Sequence, residues 1–432
     1  MATTSIPQEA STGLLRITRH GRITSVLAWL LALSFAGGSD LLPVNIGGAT
    51  FYLFRWAVLL IAFLGILDLL SVRAFASSWI TALFTVMAFW LLWALIPIAT
   101  ITDYHAWQKD VFFLFMGACT LLSIHHLLAC GRSKELLHGS MAGLAVNLIL
   151  GIVQMLTSIQ PQSSHANDLI QYSSEHFVRL SPVGMFGNPN HFAFYLCIHL
   201  LLMVYFRRSI RREFFIGVFA VASLLLFMTS SKIAFIAWVV ITIYALLSER
   251  NQLSLLWSRY RIAIAGGLLL LMALYSSIEW KNTRELALAH EREMGAAKAI
   301  KAQSSASRMA MFVCGTEAVK SSSGLGIGAG QFASFVSDGK CSAEAGGMTN
   351  AHSGVIEIGA QYGVLILTLI ALLYGYLILI LYGTSAAPWS WCYTIALALL
   401  QMANSSFLAS PVSWVMLALP MFVLFDQKQK AS

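Results

Sequence analysis

The sequence predicts an all-α polytopic membrane protein with about twelve transmembrane helices, and its composition carries that prediction. Of the 432 residues, 58% are hydrophobic and only 11% are charged, whereas a soluble domain has about 25% charged residues. A soluble fold with this ratio would have too little polar surface to cover itself. Because one membrane helix needs about 20 apolar residues, about twelve helices account for nearly all of the apolar content.

The continuity of the apolar runs favours helices over a β-barrel. A barrel strand alternates in polarity over about 10 residues, but the segments 56–67 and 262–274 are continuously apolar. We expect spans at 23–38, 51–71, 78–99, 111–130, 138–159, 191–206, 214–230, 233–248, 262–278, 358–382, 388–408 and 411–425.

Positive charges concentrate in alternate connections, and this bias predicts the orientation of the chain. Of the 27 lysines and arginines, 15 lie in one set of tails and short loops. They are Arg16, Arg19, Arg22, Arg73, Arg132, Lys134, Arg207, Arg208, Arg211, Arg212, Arg250, Arg259, Arg261, Lys428 and Lys430. The opposite short connections hold only Arg55, Lys109 and Lys232. We therefore expect both termini in the cytoplasm, and we read the net charge of +8 as orientation plus an anion site rather than a nucleic-acid surface.

The predicted spans divide the chain into five parts. These are a cytoplasmic tail at 1–22, helices 1–9 within 23–278, a long external loop at 279–357, helices 10–12 within 358–425 and a cytoplasmic tail at 426–432. A cleaved signal peptide ending near Ala36 is the alternative for the first span, although its polar lead would be long for such a peptide. We expect function in the long loop and in the medium loop at 160–190, because a rigid scaffold usually carries its functional residues on loops.

The long loop contains a glycine-rich run, Gly324 to Gly330, with two readings. It does not follow the dinucleotide-binding pattern after a strand. One reading is a tight turn, and the other is a backbone surface that approaches a phosphate or a sugar closely.

Four segments together resemble the superfamily of O-antigen ligases and Wzy-type polymerases, which are glycosyltransferases of the bacterial envelope. They are GMFGNPNHFA at 184–193, SSK at 230–232, SR at 307–308 followed by GLGIGAG at 324–330, and NAH at 350–352 followed by EIGAQYG at 357–363. The resemblance covers about 180–385. It implies a metal-independent, cofactor-free enzyme of the GT-C type in the inner membrane, with its active site on the periplasmic side.

The resemblance also implies the substrates and the roles of particular residues. The donor would be a glycan on undecaprenyl diphosphate, and the acceptor would be lipid A-core or a growing glycan. His352 would be the general base, and Arg308, Lys232 and Arg179 would bind the diphosphate. Weaker candidates for substrate binding are Asn188, Asn190 and Asn350. The sequence departs from the family at Lys232, which is usually an arginine, and at Ser353, where an asparagine is commoner.

Four functions and one cross-link remain to be tested. A ligase is our first prediction, and a Wzy-type polymerase is the alternative with the same donor. A protein-glycosylating member of the superfamily is the third reading, and a transporter or flippase is a less favoured reading from a different class. A transporter places functional charges at mid-bilayer, whereas Arg55, Asp68 and Glu357 lie near predicted span ends. Because the periplasm is oxidising, we predict a disulfide between Cys314 and Cys341 in the long loop.

Overall fold

We analysed a computed structural model of the chain. It describes residues 21–38, 41–46, 49–71, 77–96, 101–157, 182–229, 231–248, 309–342, 351, 353–402 and 407–431. The helices of these residues are α1 (Gly21–Ala36), α2 (Leu53–Ser71), α3 (Ser78–Leu95), α4 (Tyr104–Ala129), α5 (Ser133–Thr157), α6 (Pro189–Phe206), α7 (Arg212–Met228), α8 (Lys232–Ser248), α9 (309–321), α10 (Phe332–Ser337), α11 (Gly354–Leu381), α12 (Ala387–Gln401) and α13 (Pro411–Ala431).

Eleven of the twelve predicted spans coincide with helices, and the remaining one, 262–278, lies outside the described residues. Five helices of the described ranges are long and apolar enough to cross a membrane. They are α3, α4, α5, α6 with the turn that follows it, and α11. Three shorter apolar helices are Gly21–Ala36, Leu53–Leu67 and Lys232–Ser248. Helix α11 begins at Gly354, four residues before the predicted span, so Glu357 belongs to its first turn.

A short β-hairpin between α1 and α2 departs from the all-α prediction. Strands β1 (Val44–Ile46) and β2 (Ala49–Phe51) are antiparallel, and Val44 pairs with Phe51. Their sequences, VNI and ATF, are rich in the β-branched and aromatic residues that suit strands. Residues of such a short segment carry no helical period, and the hydropathy pattern therefore did not predict the hairpin.

Helix α6 is the centre of the bundle. Its residues 192–204 are all buried, and it packs against α5, α7, α8, α12 and α13. A helix that is apolar all round has no face that favours water, so it lies in the interior. The ends of the described helices are held together in two groups.

We call these groups the loop end and the basic end. At the basic end, Arg132 Nε donates to Thr24 Oγ1 (2.9 Å), and Tyr205 donates to Asp426 (2.7 Å). The loop end carries the segment 309–342, the start of α11 and the end of α12. Residues far apart in sequence therefore meet at the loop end.

The segment 309–342 has a small hydrophobic core of its own against the start of α11. This satellite core consists of Ala310, Met311, Cys314, Ala318, Phe332, Phe335, Val336, Ala351 and Ala360. Cys314 and Cys341 form the predicted disulfide, with Cα atoms 5.1 Å apart. The cross-link and the apolar contacts together hold α9 and α10 over the loop end.

Candidate functional site

Of the seven predicted site residues, the structure describes three. They are Lys232, Asn188 and Asn190, and all three lie at the loop end. Arg308, Arg179, Asn350 and His352 lie outside the described residues. Two neighbours of His352 are described: Ala351 is buried in the satellite core, and Ser353 is the N-cap of α11.

Lys232 occupies an electrostatically unfavourable position. It is the first residue of α8, and its side chain is exposed. The positive end of the helix dipole disfavours a cation there. Ser231, just before it, is buried, and its carbonyl accepts the N–H of Phe235 (2.9 Å). Lys232 thus presents a cation at a fixed helix end at the loop end of the bundle, and its contact with the diphosphate stays a prediction.

Asn188 has a structural role. It is the N-cap of α6, and its Oδ1 accepts the N–H of Asn190 (2.8 Å). Pro189 follows as the first helical residue, where its missing N–H costs nothing. The two asparagines thus start α6, and the Oδ1 atom of Asn188 is engaged in the cap. Substrate binding by these two residues stays a prediction.

The segment before α6 is held by two buried amides of α5. Gln154 accepts the N–H groups of Val183 (3.0 Å) and Gly184 (2.9 Å) and donates to the Gly184 carbonyl (2.9 Å). Asn147 accepts the N–H of Met185 (3.0 Å) and donates to the Ala36 carbonyl (2.8 Å). Such fully bonded amides fix the path of an irregular segment.

The glycine-rich run is a docking segment for α11. Helix α11 is kinked at Gly363, where φ is 86°. The kink leaves the carbonyls of Ala360 and Gln361 without helical N–H partners. The glycine-rich run supplies the missing donors: Ile327 N–H donates to the Ala360 carbonyl (2.9 Å) and Gly328 N–H donates to the Gln361 carbonyl (3.0 Å). In return the Gly324 carbonyl accepts the N–H of Val364 (2.9 Å).

The remaining N–H groups of the run are bonded almost throughout. Gly324 donates to Val319, Leu325 to the Ser322 carbonyl, Gly326 to Ser322 Oγ and Gly330 to Asp110. A phosphate cradle needs several N–H groups that point at the ligand. The structure therefore supports the turn reading of this run and assigns its backbone donors to the protein.

Asp110 and Gln331 anchor the run to α4, and the sequence did not single them out for this role. Asp110 Oδ2 accepts the N–H of Gly330 (2.9 Å) and the hydroxyl of Tyr362 (3.4 Å). Gln331 Oε1 accepts from the N–H and hydroxyl of Thr102 and from the N–H of Asp103. The only signal in the sequence for Asp110 was an acid directly before the apolar span predicted at 111–130, which the structure places nearly two turns inside α4.

A polar cluster surrounds the start of α11, two residues after His352. Glu357 is buried, and its Oε2 accepts the N–H of Phe407 (2.6 Å). The buried amide of Gln401, at the end of α12, lies against Gly354. Tertiary packing thus brings together the start of α11, the end of α12 and Phe407, which lies just before α13.

An open cavity of about 630 Å³ lies beside the satellite core. It is lined by Thr102, Glu317, Lys320, Ser321, Ile327, Gln331, Phe335, Lys340 and Ser342. The hydroxyl and N–H of Ser342 donate to the carboxylate of Glu317, and these bonds hold the pKa of Glu317 below its usual value. Within the described residues, no group of three or more His, Cys, Asp and Glu side chains is placed to hold a metal ion.

The helices of membrane-spanning length and the polar loop end define a multi-pass membrane protein with its candidate site at one end of the bundle. Residues 217–371 match the family model described as O-antigen ligase, so this part of the chain carries the domain of that family. The match confirms the resemblance inferred from the motifs, and it includes Lys232, Arg308, Asn350 and His352.

A relative supports the same assignment over more of the chain. The chain is 21% identical over 385 residues to the teichuronic acid biosynthesis protein TuaE of Bacillus subtilis (strain 168), covering 84% of this chain and 74% of that protein. The similarity extends well beyond residues 217–371 and is consistent with a common architecture for a membrane glycan ligase or polymerase.

Proposed function

We propose that this protein is an O-antigen ligase that transfers a glycan from undecaprenyl diphosphate to lipid A-core. The observation that carries the proposal is the O-antigen ligase match over 217–371, the region that supplies both Lys232 and the kinked start of α11. The loop end adds support, because it combines an exposed cation with a polar cluster at the start of α11, which begins two residues after His352 in the sequence.

The reaction requires two kinds of group. His352 takes the proton of an acceptor hydroxyl as general base, and the oxygen attacks the anomeric carbon of the donor. The bond from that carbon to the diphosphate oxygen breaks, and the anomeric configuration inverts. Arg308, Lys232 and Arg179 stabilise the departing undecaprenyl diphosphate, Arg by two-point contacts and Lys as a point charge.

The proposed orientation places this chemistry in the periplasm. The basic end carries the cytoplasmic charges predicted by the positive-inside rule, so the loop end faces the other side of the inner membrane. The prenyl tail of the donor lies in hydrocarbon, and its diphosphate therefore lies at the boundary. Lys232 is the first residue of an apolar helix at the loop end, and the proposal puts its cation at this boundary, against the diphosphate.

A Wzy-type polymerase is the second candidate. The observation that favours it is the similarity to a protein named for teichuronic acid biosynthesis, which is a different product from that of an O-antigen ligase. Both candidates use a prenyl-linked donor, and they differ in the acceptor.

A deletion strain distinguishes the candidates by lipopolysaccharide gel analysis. For a ligase, we expect loss of all capped chains while polymerised prenyl-linked glycan remains. A core that carries a single repeat unit would instead establish the polymerase, and an unchanged ladder would contradict both.

The role of His352 is tested by complementation of the same strain with H352A. We expect no capped chains from this variant, because the acceptor hydroxyl loses its base. A matched control is H105A, which removes an exposed histidine from the first turn of α4 at the same end. A normal ladder from H352A at wild-type protein level would contradict the general-base role.

A further inference from the structure

The cavity beside the satellite core has the size and the fixed walls of a ligand site. Its volume of about 630 Å³ falls within the range of about 300–1,000 Å³ that small-molecule sites occupy. Residues of α9, the glycine-rich run, α10 and the connection between α3 and α4 line it. The disulfide and the hydrogen bonds of Gln331 hold these elements together. Among the residues that line the cavity, none has a role in the proposed reaction.

Three hydroxyl groups of the lining present lone pairs to the cavity. Each donates its hydrogen to another group of the protein: Thr102 to Gln331 (2.9 Å), Ser321 to the Ala318 carbonyl (3.0 Å) and Ser342 to Glu317. A hydroxyl has one hydrogen and two lone pairs, and a carboxylate only accepts. The lining therefore favours a ligand that brings several hydrogen-bond donors of its own.

Two lysines also line the cavity, and they differ in their partners. Lys340 Nζ lies 3.0 Å from a carboxylate oxygen of Asp338, so its charge is already compensated. Lys320 is exposed at the end of α9, and within the described part of the chain it forms no such ion pair. The ammonium of Lys320 is therefore available to donate hydrogen bonds to an oxygen of a ligand.

The chemistry of the lining selects a polyhydroxyl ligand. An anion only accepts hydrogen bonds, and it would meet the lone pairs of the three hydroxyls and the carboxylate of Glu317. A cation would meet Lys320, and an apolar molecule would leave these polar groups unpaired. A sugar ring donates through several hydroxyls and accepts from Lys320. Its C–H groups can pack on Ile327 and Phe335, which form the apolar part of the lining.

The walls of the cavity are attached to the helices that border the candidate site. The N–H of Ile327 donates to the Ala360 carbonyl of α11 (2.9 Å), and Gln331 accepts the N–H of Asp103 at the start of α4 (3.1 Å). We propose that the cavity binds a sugar ring of the glycan substrate, away from the bond that is formed or broken. This inference rests on the proposed function and extends it to recognition of the glycan chain.

Two oligosaccharide probes distinguish the sources of such a sugar. Mild acid releases the glycan from its prenyl diphosphate and the core oligosaccharide from lipid A, and each can carry a fluorescent label at its reducing end. We expect purified full-length protein to bind at least one probe, measured by fluorescence anisotropy. The probe that binds identifies the donor glycan or the acceptor core as the ligand. Binding of neither probe would overturn the proposal.

Replacement of Ser321 by tryptophan tests whether the probe binds in the cavity. Ser321 is exposed, and its hydroxyl donates to the carbonyl three residues earlier, so S321W fills the space without removing a tertiary contact. The matched control is S337W, because Ser337 is an exposed serine with the same kind of bond outside the lining. We expect the Kd to rise about tenfold or more in S321W and to stay within about twofold in S337W. An unchanged Kd in S321W, or equal losses in both variants, would overturn the proposal.

The two lysines provide a second pair of variants. K320Q should raise the Kd about threefold to tenfold, because a charge-assisted hydrogen bond in a partly exposed place is lost. K340Q should change the Kd by less than about twofold, since Asp338 already compensates this lysine. Equal effects of K320Q and K340Q would overturn the proposal. Inorganic phosphate should not displace the probe, and displacement would mark an anion site and overturn the proposal as well.

The binding measurement needs no transfer, and it therefore separates this inference from the proposed function. If the wild type transfers no glycan yet binds a probe that S321W does not bind, the reaction is wrong and the site stands. If transfer occurs and S321W binds both probes as the wild type does, the reaction stands and the site is wrong.

Discussion

The N–H of Gly330 donates a 2.9 Å hydrogen bond to Oδ2 of Asp110, joining residues 220 positions apart in the chain. This bond attaches the glycine-rich run to α4, while Ile327 and Gly328 attach it to the kink of α11. The run therefore links the two helices whose loop ends border the candidate site.

Replacement of Asp110 by alanine should detach the run from α4. The N–H of Gly330 and the hydroxyl of Tyr362 would lose their acceptor, at a cost of about 1–3 kcal/mol for each buried group left unpaired. We expect a lower thermal midpoint and reduced transfer. D338A is the control, because Asp338 forms an exposed ion pair with Lys340 and such pairs contribute about 0–1 kcal/mol. Equal midpoints for the two variants would contradict the anchoring role.

The kink of α11 should tolerate no side chain at Gly363. Its φ of 86° disfavours an L-residue, and a Cβ there would lie 2.4 Å from the Gly324 carbonyl oxygen. We expect G363A to lower the free energy of unfolding by about 3 kcal/mol or more, through strain and loss of docking. Gly375 of the same helix provides the control, since a Cβ there has no neighbour within 4 Å. G375A should be neutral or slightly stabilising, measured by thermal unfolding in detergent.

The disulfide should stabilise the segment 309–342. Cys314 and Cys341 are 27 positions apart, and closing a loop of that size contributes roughly 3–4 kcal/mol by the chain-entropy argument. We expect the double variant C314S/C341S to unfold at a lower temperature. Reductant should lower the midpoint of the wild type and leave the double variant unaffected. Sensitivity of the double variant to reductant would point to another cross-link.

Lys232 should contribute to transfer through its charge. It is the first residue of α8 and its side chain is exposed, so K232Q removes the cation without opening a cavity in the bundle. Transfer by K232Q should fall, since the diphosphate loses a counter-charge, and K232R should retain more activity. The control is K340Q, which removes an exposed lysine of the loop segment. A K232Q enzyme with full activity would contradict the proposed diphosphate contact.

The contact between Glu317 and Ser342 should depend on pH. Ser342 donates two hydrogen bonds to the carboxylate and thereby lowers the pKa of Glu317 below that of an ordinary glutamate. Because the pKa of Glu317 is lower in the folded state than in the unfolded state, the carboxylate stabilises the fold. This stabilisation is complete above the unfolded-state pKa and is lost as the pH falls through the folded-state pKa. The protection factor of the Ser342 amide, which is its exchange rate relative to that of an unstructured amide at the same pH, should therefore be constant near neutral pH and fall in acid, once the pH drops below the ordinary range of a glutamate. In E317Q this acid-dependent loss of protection should be absent.

The bundle could be predicted from the sequence because hydropathy is a local property. A run of about 20 apolar residues favours a membrane helix whatever its neighbours are, and eleven predicted spans are helices in the described structure. The redox environment similarly predicted the pairing of Cys314 with Cys341, which is confirmed. Charge counts predicted an orientation, which stays a prediction.

The chemistry of the loop end was decided by tertiary structure. Composition left the glycine-rich run open between a turn and a phosphate surface, and only the carbonyls freed by the kink at Gly363 showed where its N–H groups are used. Gln154 and Gln401 look alike in sequence, yet the amide of Gln154 makes three hydrogen bonds and that of Gln401 makes none within the described residues. Which residues pair across hundreds of positions depends on how the helices pack. A local sequence pattern contains no information about that packing.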